Sequence, residues 1–126
     1  MRRRLGAVIL ILAMLLPFST AMGKQTKKLS INYDQLWSGS IRYLRIDQGF
    51  EILDRDKEAG YIIFTFKFPK GKKTSRATME FIVKGEEQDG KKKVDIQLKI
   101  DDGAEYLEIH LLDGLVEKLN KEYDTK

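Results

Sequence analysis

The 126-residue chain contains no cysteine. That absence excludes a disulfide framework, a thiol nucleophile and the lipid-bearing cysteine of a lipoprotein, so the fold must be held by its core alone. Histidine is nearly absent too: His110 stands alone, without the second histidine, cysteine or positioned serine that a zinc site or a catalytic triad needs. It reads as a surface or interface residue. No Asn-x-Ser/Thr glycosylation acceptor and no phosphate-cradling glycine loop occurs. The acidic groups Asp54 with Asp56, Glu86-Glu87 with Asp89, and Asp101-Asp102 fall where turns are expected, and none has the alternating ligand order of a calcium loop. No enzyme activity, metal or cofactor is therefore expected.

Long apolar runs are also missing. The longest, Leu5 to Phe18, has fourteen residues, whereas spanning a hydrocarbon core of ~30 Å takes roughly 20. Arg2, Arg3 and Arg4 precede it, Pro17 breaks it, and Ser19, Thr20, Ala21 and Gly23 offer small residues for a peptidase. This is the pattern of a cleavable signal peptide over residues 1–23, cut after Ala21 or after Gly23, and it predicts a bacterial protein of the periplasm or the medium. No transmembrane segment is expected after cleavage. Removing the three arginines leaves 20 basic against 19 acidic residues, so the net charge of +4 falls to about +1. Nucleic acid is then not an expected partner, because neither a strongly basic domain nor an exported location favours it.

What remains is enough for one compact domain. Residues 24–28 are polar and lysine-rich and read as a flexible lead-in, with a single domain over residues 29–126. Leu29, Ile31 and Tyr33 alternate as a short strand; Asp34 is placed to cap a helix running to about Ile46, with Trp37, Ile41 and Leu44 on one face and Leu36 and Tyr43 beside them. Gly39 inside it predicts a close backbone contact or a frayed turn, and Gly49 ends it. Phe50 to Leu53 begins a strand and 54–60 reads as a turn. In Tyr61 to Phe68, Ile62, Phe64, Phe66 and Phe68 share one face. Ala77, Met79, Phe81 and Val83 form the next inward stripe, and Val94, Ile96, Leu98 and Ile100 the last, with Asp89-Gly90 as the hairpin signal between them. A closing helix from Ala104 to about Tyr123 presents Ile109, Leu112, Val116 and Leu119, flanked by Tyr106, Leu115 and Tyr123. A sheet apolar on one face and two amphipathic helices satisfy each other by stacking. The expected fold is α+β, a two-layer sandwich in the order β, α, β, β, β, α, with an antiparallel sheet of three to four main strands and both helices on one face.

The residues left for function lie on the other face and at the hairpins. Tyr61, Ile63 and Ile82 face away from the apolar stripes, with Leu53 on the neighbouring strand, and together offer a platform for a protein partner. Lys67, Lys70, Lys72, Lys73 and Arg76 bracket one hairpin and Lys91 to Lys93 follow another, a basic rim suited to an acidic partner. Consecutive hairpin turns alternate between the ends of a sheet, so these clusters need not form one patch.

The stretch from Leu36 to Phe68, LW...IRYLRIDQGFEILDRDKEAGYIIFTFKF, resembles the helix-grip domains of the BamC lipoproteins of the outer-membrane β-barrel assembly machine. There too a helix leads into a glycine-aromatic strand (Gly49-Phe50 here), an acidic turn ending in glycine (Asp56 to Gly60), and a strongly alternating strand from Tyr61. The resemblance implies a helix-grip fold. The expected function is non-enzymatic binding of a protein of the cell envelope, with an anionic lipid or a cell-wall polymer as the other partners considered. The alternative is a small-molecule or lipid carrier with a cavity lined by Phe64, Met79, Phe81 and Leu112.

Overall fold

The structure, a computed structural model, describes residues 25–71, 73–86, 89–103 and 105–123. Residues 1–23, expected to be a signal peptide, lie outside the described residues. Seven elements follow one another: β1 (Gln25–Ile31), α1 (Tyr33–Arg42) continued by a π-helical turn (Tyr43–Asp47), β2 (Glu51–Asp56), β3 (Tyr61–Lys67), β4 (Thr74–Glu86), β5 (Lys92–Ile100) and α2 (Glu105–Glu122). Four strands, not three, separate the helices, and the five form one antiparallel sheet in the order β1-β5-β4-β3-β2. The additional strand length comes from 54–56. Their charged side chains suggested a turn, but an edge strand needs only backbone hydrogen bonds on one side and tolerates charge.

Edge pairing also takes in the start of the domain. Gln25 to Lys28 are not a lead-in: they pair with Leu98 to Asp95 of β5 and complete the other edge of the sheet. Lys27 stands opposite Ile96, on the helix side, and its ammonium reaches Asp113 of α2 at 2.9 Å.

The core lies between the sheet and the helices. Ile62, Phe64 and Phe66 of β3, Ala77, Met79 and Phe81 of β4, and Val94, Ile96, Leu98 and Ile100 of β5 are all buried, as their period of two requires. Phe50 stacks on Phe64 with ring centroids 5.7 Å apart and contacts Phe66 at 5.1 Å. Val83 departs from expectation. It keeps the inward register opposite Val94, yet it is 45% exposed, because a bulge between Val83 and Gly85 follows it where the helical cover ends.

Asn32, not Asp34, caps α1: its Oδ1 accepts the Gln35 N–H at 3.2 Å. Asp34 sits in the first turn, where its carboxylate bonds Lys57 at 2.7 Å. Leu36, Ser40 and Leu44 form the buried face, with Trp37 and Ile41 at its margin. Gly39 does mark a close approach, since a Cβ there would lie 2.6 Å from Leu119 Cδ2. The π-helical turn then hands the chain to Gly49, whose φ of +70° ends it.

The buried face of α2 is rotated from the expected one. Leu107, Glu108, Leu111, Leu112, Leu115 and Leu119 are buried, while Ile109 is 37% and Tyr106 69% exposed. Glu108 explains the rotation: its Oε2 accepts the N–H of Ile100 at 2.7 Å, satisfying a donor at the end of β5. Burial pushes the Glu108 carboxyl above its ordinary range. Tyr43 makes the corresponding bond for α1, donating its hydroxyl to the Leu111 carbonyl at 2.9 Å, and burial raises its pKa to about 12. Arg42 to Glu122 at 2.7 Å, and Lys118 to Asp47 at 2.7 Å and to Glu122 at 3.0 Å, lock the two helices together. Those two carboxylates raise the Lys118 pKa.

Candidate binding surfaces

The sheet face opposite the helices carries most of the expected partner-binding residues. Register places Thr26, Gln97, Glu80, Tyr61 and Asp56 in one row across it, and Lys99, Thr78, Ile63 and Asp54 in the next. Tyr61 and Ile63 are successive outward residues of β3, and Ile82, which follows Glu80 on β4, stands diagonally from Tyr61, so the three form one strip along the central strands. All three are half-buried by their neighbours. Charge flanks them: Ile82 stands opposite Asp95, Ile63 next to Asp54, and the Tyr61 hydroxyl donates to Asp54 Oδ2 at 3.2 Å. The Asp54 charge raises the Tyr61 pKa. Leu53 is the extra residue of a bulge between Ile52 and Asp54, 51% exposed at the rim.

The basic hairpin between β3 and β4 closes one end of this face. Lys70 is exposed; Lys73 places its ammonium 5.0 Å from the centroid of the Phe68 ring, and its carbonyl accepts the Phe68 N–H at 3.1 Å. Arg76 is exposed on the outward side of β4, opposite Thr65. Lys72 lies outside the described residues. Lys91 to Lys93 enter β5 at the far end of β4, whose 13 residues separate the two basic clusters by roughly 40 Å at ~3.3 Å per residue. They are two surfaces.

Of the acidic groups, Asp89, Asp101 and Asp102 lie in turns, whereas Asp54, Asp56 and Glu86 belong to strands β2 and β4. Asp56 Oδ1 accepts the Ala59 N–H at 2.9 Å, Asp102 takes a φ of 57°, and Glu86 pairs with Lys92 at 3.7 Å; Glu87 lies outside the described residues. His110 is exposed on α2. Among the described residues no group of three or more His, Cys, Asp or Glu could hold a metal ion, and no helix is long and apolar enough to cross a membrane. Phe64, Met79, Phe81 and Leu112, expected to line a carrier's cavity, belong to the contiguous core cluster.

Sequence reasoning missed a groove on the helix side. Between α1 and the edge strand β2 lies a hollow of about 510 Å³ lined by Trp37, Ser38, Ile41, Arg42, Arg55 and Lys57. Trp37 and Ile41, one helical turn apart, form one wall, and Trp37 is held edge-on to Phe81 at 5.9 Å. Arg55 forms the other wall, because its register partner is the buried Ile62 and it therefore projects to the helix side. A second hollow of about 580 Å³ continues along β2 to Arg45. The signal was present in Arg55, but reading 54–60 as a turn left that residue without a face. Against known proteins, no family model matches the chain and no curated protein matches it.

Proposed function

We propose that this is a non-enzymatic domain of an exported bacterial protein that works by binding a protein of the cell envelope through its open sheet face. The observation that carries this reading is the placement of Tyr61, Ile63 and Ile82 on the sheet face that neither helix packs against. An apolar strip within a charged frame suits a protein interface, where a desolvated centre supplies affinity and the polar rim supplies register. Export rests on the arginine-headed apolar leader and the small residues that follow it.

The test is the double variant Ile63→Glu with Ile82→Glu. Both side chains are half-exposed on the uncovered face, so the variant should fold with a midpoint of unfolding close to that of the parent. Photo-crosslinking in intact cells, from a probe replacing Thr78, which stands opposite Ile63 on β4, should then lose the adduct that the parent forms. An unchanged adduct in the double variant would remove the sheet face from consideration.

A further inference from the structure

We propose that the groove between α1 and β2 is a second docking site, and that its occupant is an extended segment of a partner protein carrying a carboxylate beside an apolar side chain. The charge balance of the lining points there. Among the described residues Arg42, Arg55 and Lys57 are its charged lining, and no carboxylate lines it. Two of the cations already have partners, Arg42 in Glu122 and Lys57 in Asp34, each at 2.7 Å. Arg55 has no ion-pair partner among the described residues, although it projects beside the partly buried Trp37 and Ile41. A guanidinium fork at the rim of an apolar floor binds a carboxylate with two parallel hydrogen bonds while the adjoining apolar group covers the floor.

The surroundings select a peptide over a membrane. Among the described residues only three cations line the groove and two of them are already ion-paired within the chain, short of the cluster of roughly 4–8 Lys/Arg that holds an anionic bilayer. A single chain entering the hollow meets the cations alone. The edge position of β2 also leaves outward backbone groups on which an extended segment can align.

Trp37 is the only tryptophan of the chain, so its emission reports on this groove directly. The full chain should be probed with an array of hexapeptides covering the combinations of acidic, basic, neutral and apolar positions. The strongest binders should then be titrated against Trp37 fluorescence. Peptides pairing Asp or Glu with an adjacent Leu, Ile or Phe should dominate and produce a saturable blue shift. Arg55→Glu should weaken them at least tenfold; Arg76→Glu, on the opposite face, should not. Retention of peptide binding by the Ile63→Glu, Ile82→Glu variant would separate this site from the sheet-face reading. The proposal is overturned if no acidic-apolar class is enriched, if Arg55→Glu binds like the parent, or if the double sheet-face variant loses the peptides. It is equally overturned if inorganic phosphate or phosphatidylglycerol vesicles reproduce the response and the peptides do not.

Discussion

Replacing Phe64 with alanine should destabilise the domain by about 3–5 kcal/mol, the range for removing a buried aromatic ring and leaving its cavity. Phe64 is fully buried at the middle of β3, stacked on Phe50 and paired in register with Ile52 and Ala77. Little around it can collapse into the gap, because Phe50 is also engaged with Phe66 and the sheet backbone is fixed on both sides. A domain of this size has a total stability of roughly 5–15 kcal/mol, so the variant should sit near the limit of folding. The neighbouring Thr65→Ala, on the half-exposed face, should change stability by less than about 1 kcal/mol. Urea unfolding of the two variants checks this. The expected result is a large fall in midpoint for Phe64→Ala, a small one for Thr65→Ala, and similar slopes for both.

Gly60→Ala should cost about 2–5 kcal/mol by a different route, through the backbone. Gly60 closes the turn from β2 to β3 with a φ of +81°, a conformation that costs an L side chain about 1–2 kcal/mol. A Cβ there would also lie 2.6 Å from the Phe81 carbonyl oxygen, and forcing two backbones apart adds about 1–3 kcal/mol. The contact cannot be relieved cheaply, since the Gly60 carbonyl accepts the Phe81 N–H at 2.8 Å and its own N–H donates to Asp56 at 2.8 Å. The Tyr33 hydroxyl, which donates to the Lys57 carbonyl at 2.7 Å, ties the start of α1 to the same turn. Gly90 supplies the control: its φ is also +81°, but among the described residues nothing lies within 4 Å of its added Cβ. Thermal unfolding should therefore show a small loss for Gly90→Ala and a loss at least twice as large for Gly60→Ala. Equal losses would mean that Gly60 is held by its dihedral alone.

The parts of this fold legible in the sequence are those whose side chains are partitioned by burial. The three central strands alternate through the core, so Phe64, Met79 and Ile96 declare their face by parity alone. Edge strands carry no such mark. β1 and β2 are held by hydrogen bonds to one neighbour, which any side chain permits, and so 25–28 resembled a loose end and 54–56 a turn. The rotation of α2 was hidden for another reason: apolar residues surround much of that helix, and a buried glutamate at Glu108 contradicts the hydropathy pattern that orients the rest. The sheet-face residues were found because strand parity assigns them. The groove was not, because it depends on Arg55 lying beyond the last apolar residue of its strand, and on how far α1 stops short of the edge.

The sheet is asymmetric: one side is sealed by α1 and α2, and the other is open to solvent. Hydroxyl-radical footprinting read by mass spectrometry tests it at single residues, because sulfur and aromatic rings oxidise readily wherever the radical reaches them. Tyr106, 69% exposed, should oxidise fastest; Tyr61 and Ile63 should follow at intermediate rates; Met79 and Phe64 should be protected by at least an order of magnitude, in keeping with their burial. Oxidation of Met79 at the rate of Tyr106, or protection of Tyr61 and Ile63 equal to that of Met79, would contradict a sheet covered on one side only.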